Sequence, residues 1–112
     1  MSYKIESSDL FEKQFKKLLK KYVSLKSELR ELQLELMENP TMGTLLRDNV
    51  YKIRLAISSK NKGKSGGARV ITLVKIINET VYLLSIYNKG EKDTISESEI
   101  DALLEDYEDY SE

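Results

Sequence analysis

An α+β fold, an antiparallel β-sheet with an N-terminal helical hairpin packed on it and a C-terminal helix, follows from three observations. Apolar residues recur at spacings of 3 and 4 from Phe11 to Leu36. From Val50 onward the apolar spacing becomes 2, the signature of strands. At Ser96-Glu97-Ser98-Glu99 a capping-box sequence opens one more helical pattern. A run of helices followed by a run of strands puts helices onto an antiparallel sheet instead of alternating them through a parallel one.

Each element has its own warrant. Tyr3-Lys4-Ile5-Glu6 alternates and predicts a short first strand. Ser8 or Asp9 caps a helix whose stripe is Phe11, Phe15, Leu18 and Tyr22, with Lys13, Lys16, Lys17, Lys20 and Lys21 off it. Leu25, Leu29, Leu32 and Leu36 repeat the spacing in a second helix, wetted by Glu28, Arg30, Glu31 and Glu35. Asn39-Pro40 ends that helix, because proline disfavours helical backbone in the residue before it. Both stripes are assigned to the core of a helical hairpin, not to a cofactor site.

Thr41–Asn49 reads as a loop. In Val50–Ile57, Tyr51, Ile53, Leu55 and Ile57 share one face and Lys52, Arg54 and Ala56 the other. Arg69–Ile77 and Thr80–Tyr87 are apolar on both faces, as central strands are, and Asn78-Glu79 joins them as a tight hairpin. The last helix turns Ile100, Leu103, Leu104 and Tyr107 inward, giving the order β-α-α-β-β-β-α.

The 112 residues fit one domain, 1–112, with an acidic tail at about 108–112 frayed past Tyr107. Hydrophobic residues form 40% of the chain, enough for a packed interior. No apolar run reaches the roughly 18 residues of a membrane span, and the opening Met1-Ser-Tyr-Lys-Ile-Glu lacks the apolar stretch of a secretory signal. The chain has no cysteine and no histidine, which removes a disulfide frame, thiolate metal sites and the usual proton shuttle near neutral pH. These features suit a cytoplasmic protein without a membrane span.

The net charge of −1 conceals a strong polarity. Residues 43–92 hold ten Lys/Arg against three Asp/Glu, whereas residues 93–112 hold none against nine. A basic middle is the footprint of a polyanion binder, and the acidic end is either a solvated tail or a mask for that surface. Only Asp48, Glu79 and Glu91 are at hand to neutralise the basic segment from within.

The stretch Asn61-Lys-Gly-Lys-Ser-Gly-Gly-Ala-Arg69 looks at first like the end of a phosphate-binding P-loop. A P-loop needs a glycine where Ser58 stands and a helix where Arg69-Val-Ile-Thr-Leu-Val begins a strand. Without a helix N-terminus the aligned amides that grip phosphate are missing. Ser58–Gly67 is therefore a hairpin connection that carries Lys60, Lys62 and Lys64. Antiparallel pairing then brings Lys52, Arg54, Arg69, Tyr87, Lys89 and Lys92 to one part of the sheet, beside Glu91.

Three pieces of the chain, Tyr51–Leu55, Lys62–Ile71 and Val81–Lys92, together resemble the RelE/ParE superfamily of type II toxin–antitoxin toxins, with the closest look to its HigB-like branch. The resemblance covers most of the chain. It implies a microbial-RNase-like sheet with helices on one side, and an endoribonuclease that cuts mRNA in the ribosomal A site without a metal or cofactor. It also implies a cognate antitoxin that silences the toxin. RelE itself carries an arginine where Gly90 stands and a tyrosine near Ser96, and neither is present here.

Under that resemblance the catalytic set is Arg69, Arg54, Lys89, Glu91, Lys92 and Tyr87, and Lys52, Lys60, Lys62 and Lys64 bind RNA. Arg69 is expected to hold the scissile phosphate through its two-pronged guanidinium, with Arg54 and Lys52 adding charge. The proton acceptor is Glu91, a lysine or Tyr87, and Tyr87 is equally suited to stacking on a base. The alternatives on the same scaffold are a non-catalytic ParE-like inhibitor of DNA gyrase and an inactive RNA-binding domain.

Overall fold

The computed structural model describes residues 2–60, 66–92 and 94–111. Strand β1 (Lys4–Ser7) is followed by helices α1 (Asp9–Lys21) and α2 (Leu25–Glu38). Strands β2 (Thr44–Arg47), β3 (Val50–Leu55), β4 (Ala68–Lys75) and β5 (Thr80–Asn88) come next, and helix α3 (Glu97–Ser111) closes the chain. The five strands form one sheet in the order β1-β5-β4-β3-β2.

Local chemistry explains the helix boundaries. Ser8, in extended backbone, caps α1 by accepting a hydrogen bond from the Phe11 amide at 3.1 Å. Asn39 ends α2 just before Pro40. In α3 the capping box forms in both directions: the Ser96 amide donates to Glu99 Oε1 and the Glu99 amide to Ser96 Oγ. The backbone stays helical through Ser111, so the acidic residues past Tyr107, where fraying is expected, continue the helix.

The two faces of the sheet bury different clusters. Tyr51, Ile53, Leu55, Ile57, Val70, Val74, Val81, Leu83 and Ile86 pack under Phe11, Leu18, Leu25, Leu29, Leu32 and Leu36 of the helical hairpin. On the other face Val50, Ile71, Leu73 and Leu84 pack under Ile100, Leu103 and Tyr107 of α3. Tyr107 meets Tyr82 in a tilted contact, with ring centroids 4.7 Å apart and planes at 60°. β4 and β5 are buried almost throughout, as their two-sided apolar pattern predicts.

Four sequence expectations need correction. The segment Thr41–Asn49 contains β2, a four-residue edge strand paired to β3 with an irregularity between Leu45 and Arg47. Leu45 is exposed, so no alternating pattern marks it. The sheet is mixed, not wholly antiparallel, because β1 lies parallel to β5. β4 ends at Lys75, and Ile76 and Ile77 stand exposed in the turn to β5, where Glu79 takes a positive φ of 49°. Finally, α3 packs on the face opposite the hairpin, so the helices are not confined to one side.

Candidate functional site

Strand pairing aligns the predicted cations. Arg54 on β3 faces Arg69 on β4, and Arg69 faces Tyr87 on β5, which makes one row across three strands. Lys52 lies in the next row, opposite Ile71. By alternation along β3, Lys52 and Arg54 share the face of Val50, the one α3 covers further along. The helical hairpin lies on the other side. Lys52, Arg54, Arg69 and Tyr87 therefore share one face of the sheet, with Arg69 and Tyr87 buried and Tyr87 part of the cluster that packs under α3.

Burial separates their characters. Arg69 is only 3% exposed, and its Nη1 donates to the Ala68 carbonyl at 3.1 Å. Arg54 is exposed and Lys52 half-buried. Neither Lys52 nor Arg54 forms an ion pair with a carboxylate among the described residues. Like charges directly opposite on neighbouring strands, as Arg54 and Arg69 are, destabilise the pairing.

Close strand approach fixes the row at its base. A Cβ added to Gly67 would lie 2.1 Å from the Leu55 carbonyl oxygen, so only glycine fits where β3 and β4 meet beside Arg69. The Gly67 carbonyl also accepts from the Lys89 amide at 3.0 Å. Past β5 the chain turns at Asn88, whose carbonyl accepts from the amides of Glu91 and Lys92. Asn88 Oδ1 accepts from the Gly90 amide, and its Nδ2 donates to the Tyr22 hydroxyl at 3.3 Å.

That turn divides the remaining candidates. The Lys92 ammonium lies 4.9 Å from the centroid of the Tyr87 ring, a cation–π contact that joins it to the row. Lys89 is half-buried in the turn. Glu91 is exposed and lines a cavity of about 240 Å³ with Gln14, Lys17, Lys21, Tyr87 and Asn88, on the α1 side of the strand. Lys60 ends a 3₁₀ turn at Ser58–Lys60; its side chain, with Lys62 and Lys64, lies outside the described residues.

The sequence left the acidic end as either a tail or a mask and named none of its partners. Arg47 on β2 pairs with Glu97 Oε2 at 2.5 Å and with Asp101 Oδ1 at 2.8 Å. Lys92 pairs with Glu99. Counting carboxylates only within the basic segment overlooked these partners, which α3 brings back by folding onto the sheet. The Lys92 ammonium, helped by the Ser96 amide, holds the Glu99 carboxyl down at about 2 from an ordinary 4.5. Because the folded value is the lower one, this contact favours the docked helix above about pH 4.5 and fades as pH falls toward 2. The Glu99 carboxyl carbon is expected to titrate by NMR with a midpoint near 2, and in Lys92→Met the midpoint should move back toward 4.5.

A family model described as the RelE toxin of the RelE/RelB toxin–antitoxin system matches residues 9–111. The chain belongs to the RelE toxin family. Solved structures agree on the fold. The isolated E. coli RelE toxin matches with a TM-score of 0.61 at 20% identity, covering 93% of this chain and 98% of that one. A free-state E. coli RelE with two arginines replaced by alanine matches with a TM-score of 0.61 at 19% identity, covering 83% and 90%. This RelE-family protein is thus the toxin of a toxin–antitoxin pair, and its family implies an antitoxin partner. Among the described residues no helix is long and apolar enough to cross a membrane.

Proposed function

We propose that this toxin is a cytoplasmic, ribosome-dependent endoribonuclease that cleaves mRNA by attack of a ribose 2′-hydroxyl on the adjacent phosphate, without a metal. The observation that carries the reading is the Arg54–Arg69–Tyr87 row, with Lys52 beside it and Lys92 over the tyrosine ring. A guanidinium fork on Arg69 holds two non-bridging phosphate oxygens, and Arg54 adds charge from the facing strand. As the 2′-oxygen bonds to phosphorus, the 5′-oxygen bond breaks, leaving a 2′,3′-cyclic phosphate and a free 5′-hydroxyl.

Two proton transfers accompany that exchange. Tyr87, opposite Arg69 in the row, would take the 2′-hydroxyl proton in its phenolate form once RNA uncovers its buried oxygen. Lys92, at the Tyr87 ring, would give a proton to the departing 5′-oxygen, leaving its pair with Glu99. Glu91 opens toward α1, so it suits the flank of the RNA path better than the phosphate itself. Lys52, Lys60, Lys62 and Lys64 serve the RNA backbone, whose grip should weaken with salt.

The test is a pair of assays on purified toxin. Programmed ribosomes carrying mRNA are expected to yield cut transcripts, and added antitoxin to stop the cutting. Intact mRNA together with inhibited DNA supercoiling would overturn the nuclease reading in favour of a gyrase inhibitor.

A further inference from the structure

Tyr87 reaches the cation face only because β5 changes phase. Ile71 pairs with Ser85 and Thr72 with Leu83, so Leu84 has no partner on β4 and the strand bulges at Leu84–Ser85. Before the bulge Val81 and Leu83 face the helical hairpin; after it Ile86 does. Unbroken alternation would put Tyr87 on the hairpin side with Val81 and Leu83. The bulge instead turns it to the face of Leu84 and Ile71, in line with Arg69.

The bulge is held from α1. β1 stops at Ser7 opposite Leu83, so from Leu84 onward no strand among the described residues pairs with β5 on that edge. The Ser8 amide donates to the Leu83 carbonyl at 3.1 Å and the Ser8 hydroxyl to the Leu84 carbonyl at 3.2 Å. Nearly two turns further, Gln14 Oε1 accepts from both the Ser85 hydroxyl at 3.0 Å and the Ile86 amide at 3.1 Å. Ser8 is already committed as the cap of α1. Gln14 is not, and it sits three residues after Phe11 and four before Leu18, on a stripe where an apolar residue would otherwise belong.

We propose that Gln14 is a positioning residue for Tyr87: its side-chain carbonyl holds the Leu84–Ser85 bulge, and the bulge turns Tyr87 onto the cation face. The activity side of this inference rests on the nuclease reading; the structural side rests on the strand geometry alone.

Two readouts test it. The Tyr87 ring shields the Lys92 side chain, so the Lys92 ε-methylene protons should resonate upfield in the wild-type toxin. In Gln14→Leu that shift is expected to vanish, and kcat for mRNA cleavage to fall about 10²-fold with little change in KM. Gln14→Glu keeps an acceptor oxygen and should retain both signals. Added to Tyr87→Ala, Gln14→Leu should cost no further activity, since it acts through Tyr87. An unchanged Lys92 shift in folded Gln14→Leu, or a loss that adds fully to that of Tyr87→Ala, would overturn the proposal. Should Gln14→Leu not fold, Gln14→Ala gives the same two readouts with room for water at the Ile86 amide. Intact mRNA on ribosomes treated with the wild-type toxin would remove the nuclease reading, while the Lys92 signal still decides the role of Gln14.

Discussion

Arg69→Ala is expected to slow mRNA cleavage on programmed ribosomes by about 10²–10³-fold, the usual cost of removing one preorganised group that stabilises developing charge. The size of the effect follows from where the guanidinium sits. Arg69 is 3% exposed in the middle of the sheet, between Arg54 and Tyr87, where water screens its charge least. Arg54, exposed toward the edge, should cost less when replaced by alanine. Arg69→Lys keeps the charge but loses the planar fork, so its activity should fall between wild type and Arg69→Ala. Helical content by circular dichroism and antitoxin binding must stay near wild type for the comparison to hold. Full cleavage by a folded Arg69→Ala protein would contradict the role given to this residue.

The sequence carried the helices and the central strands because their burial is periodic. Phe11, Leu18, Leu25, Leu29, Leu32 and Leu36 are all buried, at the spacings that predict them. Lys52 and Arg54 could be placed on one face because a strand alternates strictly, and the β3–β4 register then set Arg54 against Arg69. β2 was illegible for the opposite reason: it is short, it lies at the edge, and it exposes Leu45. The parallel pairing of β1 with β5 depends on contacts across most of the chain, which no local pattern records.

Two features of the site were hidden in the same way. The bulge at Leu84–Ser85 interrupts a run that is apolar on both faces, so a phase change leaves the pattern of residue types unaltered. A polar Gln14 on an apolar stripe was its only trace in the sequence. The acidic residues of α3 look like a tail when charge is counted by segment. Their pairing with Arg47 and Lys92 emerges only once Ile100, Leu103 and Tyr107 dock the helix onto the sheet.

In the proposed reaction this basic row orients a ribose-phosphate unit so that its own 2′-hydroxyl is the nucleophile. An intramolecular nucleophile held in line enjoys an effective concentration of about 10⁵–10⁸ M, and no residue of the row replaces it once it is gone. The most direct measurement gives programmed ribosomes two mRNAs that differ by one atom, a ribose or a 2′-deoxyribose immediately 5′ of the cleavage point. The all-ribose message should be cut to a 2′,3′-cyclic phosphate and a 5′-hydroxyl, and the singly substituted message should survive uncut at that position. Cleavage of both messages at similar rates would mean that water is the nucleophile, and would overturn the proposed reaction.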